Sequence, residues 1–101
     1  MSAAIDARMI ELDMGFDVEE VARGIERLVE RSGGGGRIAE GNGFRFLGAD
    51  GLIIEVKPMP AERIHYPTIF FARTLVVIRG AEEAVEAMNK KILLAFLRVG
   101  G

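Results

Sequence analysis

The run TIFFARTLVVIR at residues 68–79 constrains the fold more than any other stretch. It is dense in β-branched and aromatic residues, which suit a pleated strand. Read as a strand, it sets Phe70, Ala72, Val76 and Ile78 on one side. Ile69, Phe71, Leu75 and Val77 fall on the other, broken only by Arg73 and Arg79. A strand that is apolar on both sides needs both faces covered. The rest of the chain must supply its neighbours and its covers.

The second strong signal is a helix. Asp17, with Glu20 three residues on, reads as a capping-box-like start. Val18, Val21, Ala22, Ile25, Leu28 and Val29 then share one helical face, and Glu19, Glu20, Arg23, Glu26, Arg27 and Glu30 the other. The helix is expected to stop at Ser32 or Gly33. Before it, RMIELDM (8–14) alternates as a strand, with SAAIDA as a short helical lead-in. After it, GFRFL (43–47) and LIIEVK (52–57) flank an Asp50-Gly51 turn, a hairpin signal. From Ala81 towards Val99, residues Ala84, Val85, Met88, Ile92, Ala95 and Phe96 recur at helical spacing.

The predicted order is therefore β-α-β-β-β-α: an α+β two-layer sandwich in one domain, residues 1–101. Its four-stranded, mainly antiparallel sheet carries both helices on one face. Residues 32–43 are predicted to be a flexible, glycine-rich loop.

In this arrangement the open face of the sheet is too apolar for water. Placed around a two-residue Asp-Gly turn, Leu47, Leu52, Ile54 and Val56 lie on one face and Phe44, Phe46 and Ile53 on the opposite one. Large exposed apolar patches on small proteins normally meet a partner, most often a second copy. The sequence thus favours a self-associating or partner-binding protein, a homodimer or higher homo-oligomer. Its expected interface is Phe44, Phe46, Ile53, Ile69, Phe71, Leu75 and Val77, with Arg73 as a rim or paired charge. The competing reading is that the N-terminal segment or the 58–67 linker covers that face within one chain.

The four glycines of RSGGGGR (31–37) raise the question of phosphate binding. Backbone N–H groups freed by glycine bind anions where they converge at the start of a helix. Here the glycines follow a helix and lead towards a strand. Neither GxxxxGK[ST] nor GxGxxG is present, since Ile38, Ala39 and Phe46 occupy the candidate third positions. A backbone nest at Gly34 and Gly35, flanked by Arg31, Arg37 and Arg45, is the anion- or nucleic-acid-binding alternative. The expectation preferred is a helix stop and a connector.

Two short resemblances belong beside this. GFRFL, with Phe44 and Phe46 alternating around Arg45, partially resembles the aromatic strand motif of RNA-recognition domains, which would imply rings that stack on bases. The motif's basic first position is Asn42 here and its last aromatic is Ala49. The terminal LRVGG resembles the diglycine tail of ubiquitin-like modifiers, shortened by one residue. In that family the tail follows a β-grasp fold, whereas here it follows a predicted helix, so Gly100 and Gly101 read as a helix stop.

A small-molecule enzyme is the remaining alternative, with a site at the 58–67 linker. Glu62, Arg63, His65 and Tyr66 are its candidate acid–base residues, and His65 is the only histidine. The sequence predicts no cofactor or metal. It has no cysteine, and further ligands could come only from carboxylates such as Glu11, Asp13 or Glu55. No catalytic signature occurs, which argues for a non-enzymatic role. A net charge of −2 disfavours electrostatic nucleic-acid binding. The absence of a long apolar run predicts no membrane span and a cytoplasmic home. Arginine outnumbers lysine ten to three and glutamine is absent, a thermophile-like usage.

Overall fold

The computed structural model describes residues 7–60 and 73–100. Strand β1 (Ala7–Met14) leads into helix α1 (Val18–Arg31). Four strands follow: β2 (Arg37–Glu40), β3 (Gly43–Leu47), β4 (Ile53–Pro58) and β5 (Thr74–Ala81). Helix α2 (Glu82–Gly100) follows β5 without a gap. The sheet runs β1-β5-β4-β3-β2, and every neighbouring pair is antiparallel. The fold is α+β as expected, but the sheet has five strands where the sequence predicts four.

The extra strand is β2, inside the segment read as a loop. Register Glu40↔Gly43 leaves a two-residue turn, Gly41-Asn42. Gly41 has φ +59°, at the position where a type II′ hairpin turn needs glycine. Six glycines in eleven residues hid a strand of only four.

The core lies between the sheet and both helices. Val21, Ala22, Ile25 and Val29 of α1 and Val85, Met88, Ile92 and Phe96 of α2 join one buried cluster with Met14, Phe46, Ile54, Val56, Val76 and Ile78. The alternation places Val76 and Ile78 under the helices and Leu75 and Val77 on the opposite face, as the sequence predicts. Leu75 and Val77 are nonetheless only 3% and 5% exposed, and with Met59 they form a second, smaller buried cluster. The two-sided burial is real, and β5 lies between β1 and β4.

The β3–β4 hairpin corrects a second expectation. Its register pairs Leu47 with Ile53 and Phe46 with Ile54. The connection is not a two-residue turn but five residues, with a single 3-10 turn at Ala49–Gly51 closed by the Gly48 N–H donating to the Leu52 carbonyl at 2.8 Å. Asp50 and Gly51 both have positive φ. This shifts the pairing by one residue relative to a two-residue turn, and a one-residue slip exchanges the faces. Phe44 and Phe46 therefore join Ile54 and Val56 beneath the helices, and Phe46 is fully buried. Leu47 and Ile53 take the other face.

Helix α1 is built as its sequence reads. The Asp17 side chain accepts the Glu20 N–H at 2.8 Å. At the far end, the Gly33 N–H donates to the Glu30 carbonyl and the Gly34 N–H to that of Val29. With Gly33 at φ +88°, this is a Schellman stop. The buried Thr74 hydroxyl donates to the Phe16 carbonyl at 2.6 Å, which ties the β1–α1 connection to β5.

Candidate functional site

The glycine loop is not arranged to hold an anion. The amides of Gly33 and Gly34 terminate α1, and that of Gly35 donates to the Leu47 carbonyl at 2.9 Å. A Cβ on Gly34 would stand 2.4 Å from Val29 Cγ1 and 2.8 Å from the Leu47 carbonyl oxygen. Glycine is needed there so that the end of α1 can pack against the β3–β4 connection.

The arginines around the loop are dispersed. Arg37 donates to both oxygens of Glu19 and, through Nε and Nη2, to Glu26, and its guanidinium lies 4.6 Å from the centre of the Phe44 ring. Burial works to lower its pKa, but the hydrogen bonds it donates to Glu19 and Glu26 outweigh it and hold the group above the ordinary arginine range. Arg45 sits on the open face and pairs with Glu40 at 3.3 Å. Arg31, in the last turn of α1, points elsewhere, as described below.

The open face carries charge as well as apolar surface. Its cross-strand rows read Glu11–Val77–Glu55–Arg45 and Met9–Arg79–Ile53–Leu47. Arg79 pairs with Glu55 at 3.0 Å, and Arg73 makes a bidentate pair with Asp13 that raises its pKa. Ile53 is half-buried on this face, and Leu75 and Val77 are already out of water. Phe44 and Phe46 are absent from it, which removes both their interface placement and the ring exposure that base stacking would need. Among the described residues, no group of histidine and carboxylate side chains could hold a metal ion. Ile69, Phe71, Glu62, Arg63, His65, Tyr66 and Gly101 lie outside the described residues.

Two other surfaces, both on α2, stand out instead. The first is its outer flank. Leu93, Leu94 and Leu97 are 42%, 58% and 69% exposed, on a helix whose inner face is already filled. The edge of α2 nearest β1 is marked by Arg8, whose guanidinium pairs with Glu82 and with Glu86 at 3.6 and 3.0 Å. Leu93 is two turns beyond Glu86 on that flank. Because α2 runs antiparallel to β5, it runs parallel to β1. Helix α2 packs against both β5 and β1, and Leu93 lies about 10 Å beyond Glu86 along the flank that Arg8 marks. Strand β1 is the end strand of the sheet, and among the described residues nothing pairs with its outer edge. Its helix-side residues Ile10 and Leu12 are only half-buried.

The sequence names neither Leu93 nor Leu97, because α2 is apolar around most of its girth in its second half. The pattern KKILLAFL does carry the signal: three leucines beyond those needed for the stripe at Met88, Ile92 and Phe96.

The second surface is a groove of about 540 Å³ between α1 and the C-terminal half of α2. Phe16, Leu28, Ala95 and Phe96 form its apolar part, and Arg23, Arg27 and Arg31 line it at four-residue spacing. The rings of Phe16 and Phe96 meet at 5.3 Å. Gly24 lies under them, where a Cβ would come within 2.7 Å of Phe96 Cζ.

No helix among the described residues is long and apolar enough to cross a membrane. No protein-family model matches the chain, and no curated protein or solved structure matches it.

Proposed function

We propose that this chain is a self-associating α+β module whose second copy docks on the β1 edge and the leucine flank of α2. The observation that carries the reading is the pairing of two unfinished features at one place. Among the described residues nothing pairs with the outer edge of the eight-residue β1, and Leu93 and Leu97 are exposed on the neighbouring flank of α2; each feature by itself is a liability that another chain would relieve. This keeps the expectation of a homo-oligomer and moves its contact from the open face of the sheet to its edge.

A two-fold axis just outside the outer edge of β1, perpendicular to the sheet, would join the two sheets into one of ten strands with all four helices on the same side. Such pairing matches residues that share a face. Centred on Ile10, it sets Ile10 against its own copy, Arg8 against Leu12, and Met9 against Glu11. Centred on Glu11, it would oppose two carboxylates, which destabilises a strand pair. The first register is the one favoured. It sets the half-buried Ile10 against its own copy under the leucines of both α2 helices, with Leu12 beside the aliphatic stem of Arg8 of the partner subunit.

Sedimentation at several protein concentrations tests this. A dimer that persists in high salt is expected, because the contact is mainly apolar. A monomer at every concentration would overturn the proposal. So would a dimer that Leu97→Glu leaves intact.

A further inference from the structure

We infer that the α1–α2 groove binds a small amphipathic anion, a carboxylate on an aliphatic or aromatic body. The groove is separate from the proposed dimer contact. Ala95 and Leu93 are two residues apart, about 200° around the helix axis, so their surfaces lie on opposite flanks of α2.

Three observations lead to the ligand class. The first is charge without a partner. Arg23 has Glu19 at 3.7 Å, but neither Arg27 nor Arg31 makes an ion pair or hydrogen bond among the described residues. Elsewhere on the molecule, Arg8, Arg37, Arg45, Arg73 and Arg79 all have carboxylate partners. Two neighbouring guanidinium groups left open on one rim form a site for a planar, bidentate anion.

The second observation is an apolar wall beside that charge. Phe16, Phe96, Leu28 and Ala95 line the same groove, and its volume suits a small molecule. The third is the floor. Gly24 interrupts the α1 face between Arg23 and Arg27, and any side chain there would displace the Phe96 ring. The acidic residues that also line the groove, Asp17 and Glu20, lie at the start of α1. Asp17 is engaged as the helix cap, and its carboxylate directs an anion to the opposite end, at Arg27 and Arg31. The anion then sits at Arg27 and Arg31, whose two full charges outweigh the partial negative charge at the end of α1, with its apolar body lying across Gly24 towards Phe16.

Titration calorimetry with octanoate, 1-octanol and inorganic phosphate separates the contributions. Saturable binding of octanoate at one site per chain is expected, with octanol and phosphate each bound at least about tenfold more weakly. Arg27→Gln/Arg31→Gln should weaken octanoate by about tenfold or more, since both residues are exposed and the fold does not depend on them. Lys90→Gln, on the outer side of α2, should leave it unchanged. Octanol bound as tightly as octanoate would overturn the role of the arginines. Phosphate bound as tightly would overturn that of the apolar wall. No octanoate binding at millimolar concentration, or full binding by the arginine double variant, would overturn the site.

Discussion

The two edges of the sheet are finished in opposite ways. At one end, β2 is four residues long and its helix-side arginine is clamped. Arg37 reaches Glu19 and Glu26 on α1 and covers the Phe44 ring. A short, charged edge is a poor template for another strand. At the other end, β1 is twice as long; Arg8 ties its beginning to Glu82 and Glu86 on the helix side, and Asp13 pairs with Arg73 on the open face. On the helix side, beyond Arg8, lies the exposed leucine flank of α2. One edge is closed by polar chemistry within the chain; the other, on the dimer proposal, is closed by apolar chemistry between chains. The contrast is what gives the dimer proposal its direction.

The largest expected effect is at the β1 end. Leu93→Glu/Leu97→Glu should raise the dimer Kd by at least about 100-fold, about 2.8 kcal/mol, because carboxylates would have to be desolvated in the contact. Circular dichroism should show the helices intact, since both side chains are exposed in the single chain. At the β2 end, Arg37→Met should leave the mass unchanged and lower folding stability by about 1–3 kcal/mol in denaturant titration. It strands two carboxylates that now share one guanidinium. Because pairing raises the Arg37 pKa, its contribution is present throughout the neutral range and falls as pH climbs through arginine's own titration.

Smaller effects sharpen the comparison. Asp17→Ala removes the cap of the helix that carries Glu19 and Glu26, and should cost about 1 kcal/mol with no change in mass. Arg8→Gln removes the polar pin at the β1 end. Its pairs are exposed, so the loss should be under about 1 kcal/mol and the dimer should survive. A dimer lost in Arg8→Gln and kept in Leu93→Glu/Leu97→Glu would reverse the roles assigned to the two kinds of chemistry.

Much of the fold is legible in the chain because its periods are strong. The cap at Asp17, the stripe from Val18 to Val29, the alternation in β1 and the two apolar sides of Leu75–Ile78 all lie where they are read. The failures have local causes. The four residues of β2 are too few to show alternation among six glycines. The faces of Phe44 and Phe46 invert because Asp50 and Gly51 sit in a five-residue connection, and turn length is invisible to pattern alone. The glycines of 33–36 suggest free amides, yet which carbonyls accept from them depends on how α1 ends and where Leu47 lies. The open-face interface expected from the sequence rests partly on those inverted phenylalanines. The sequence does not single out Leu93 and Leu97 because a helix that is apolar on several sides does not reveal which side is inside.

The chain contains no cysteine, so a single introduced thiol reports one position cleanly. Oxidative cross-linking of Ile10→Cys is the most direct test of edge pairing. Opposed residues of an antiparallel pair lie about 4.5–5.5 Å apart at Cα, within reach of a disulfide. Pairing centred on Ile10 predicts rapid conversion to a covalent dimer, abolished by Leu93→Glu/Leu97→Glu. An Ile10→Cys chain that sediments as a dimer yet fails to cross-link on oxidation would contradict it.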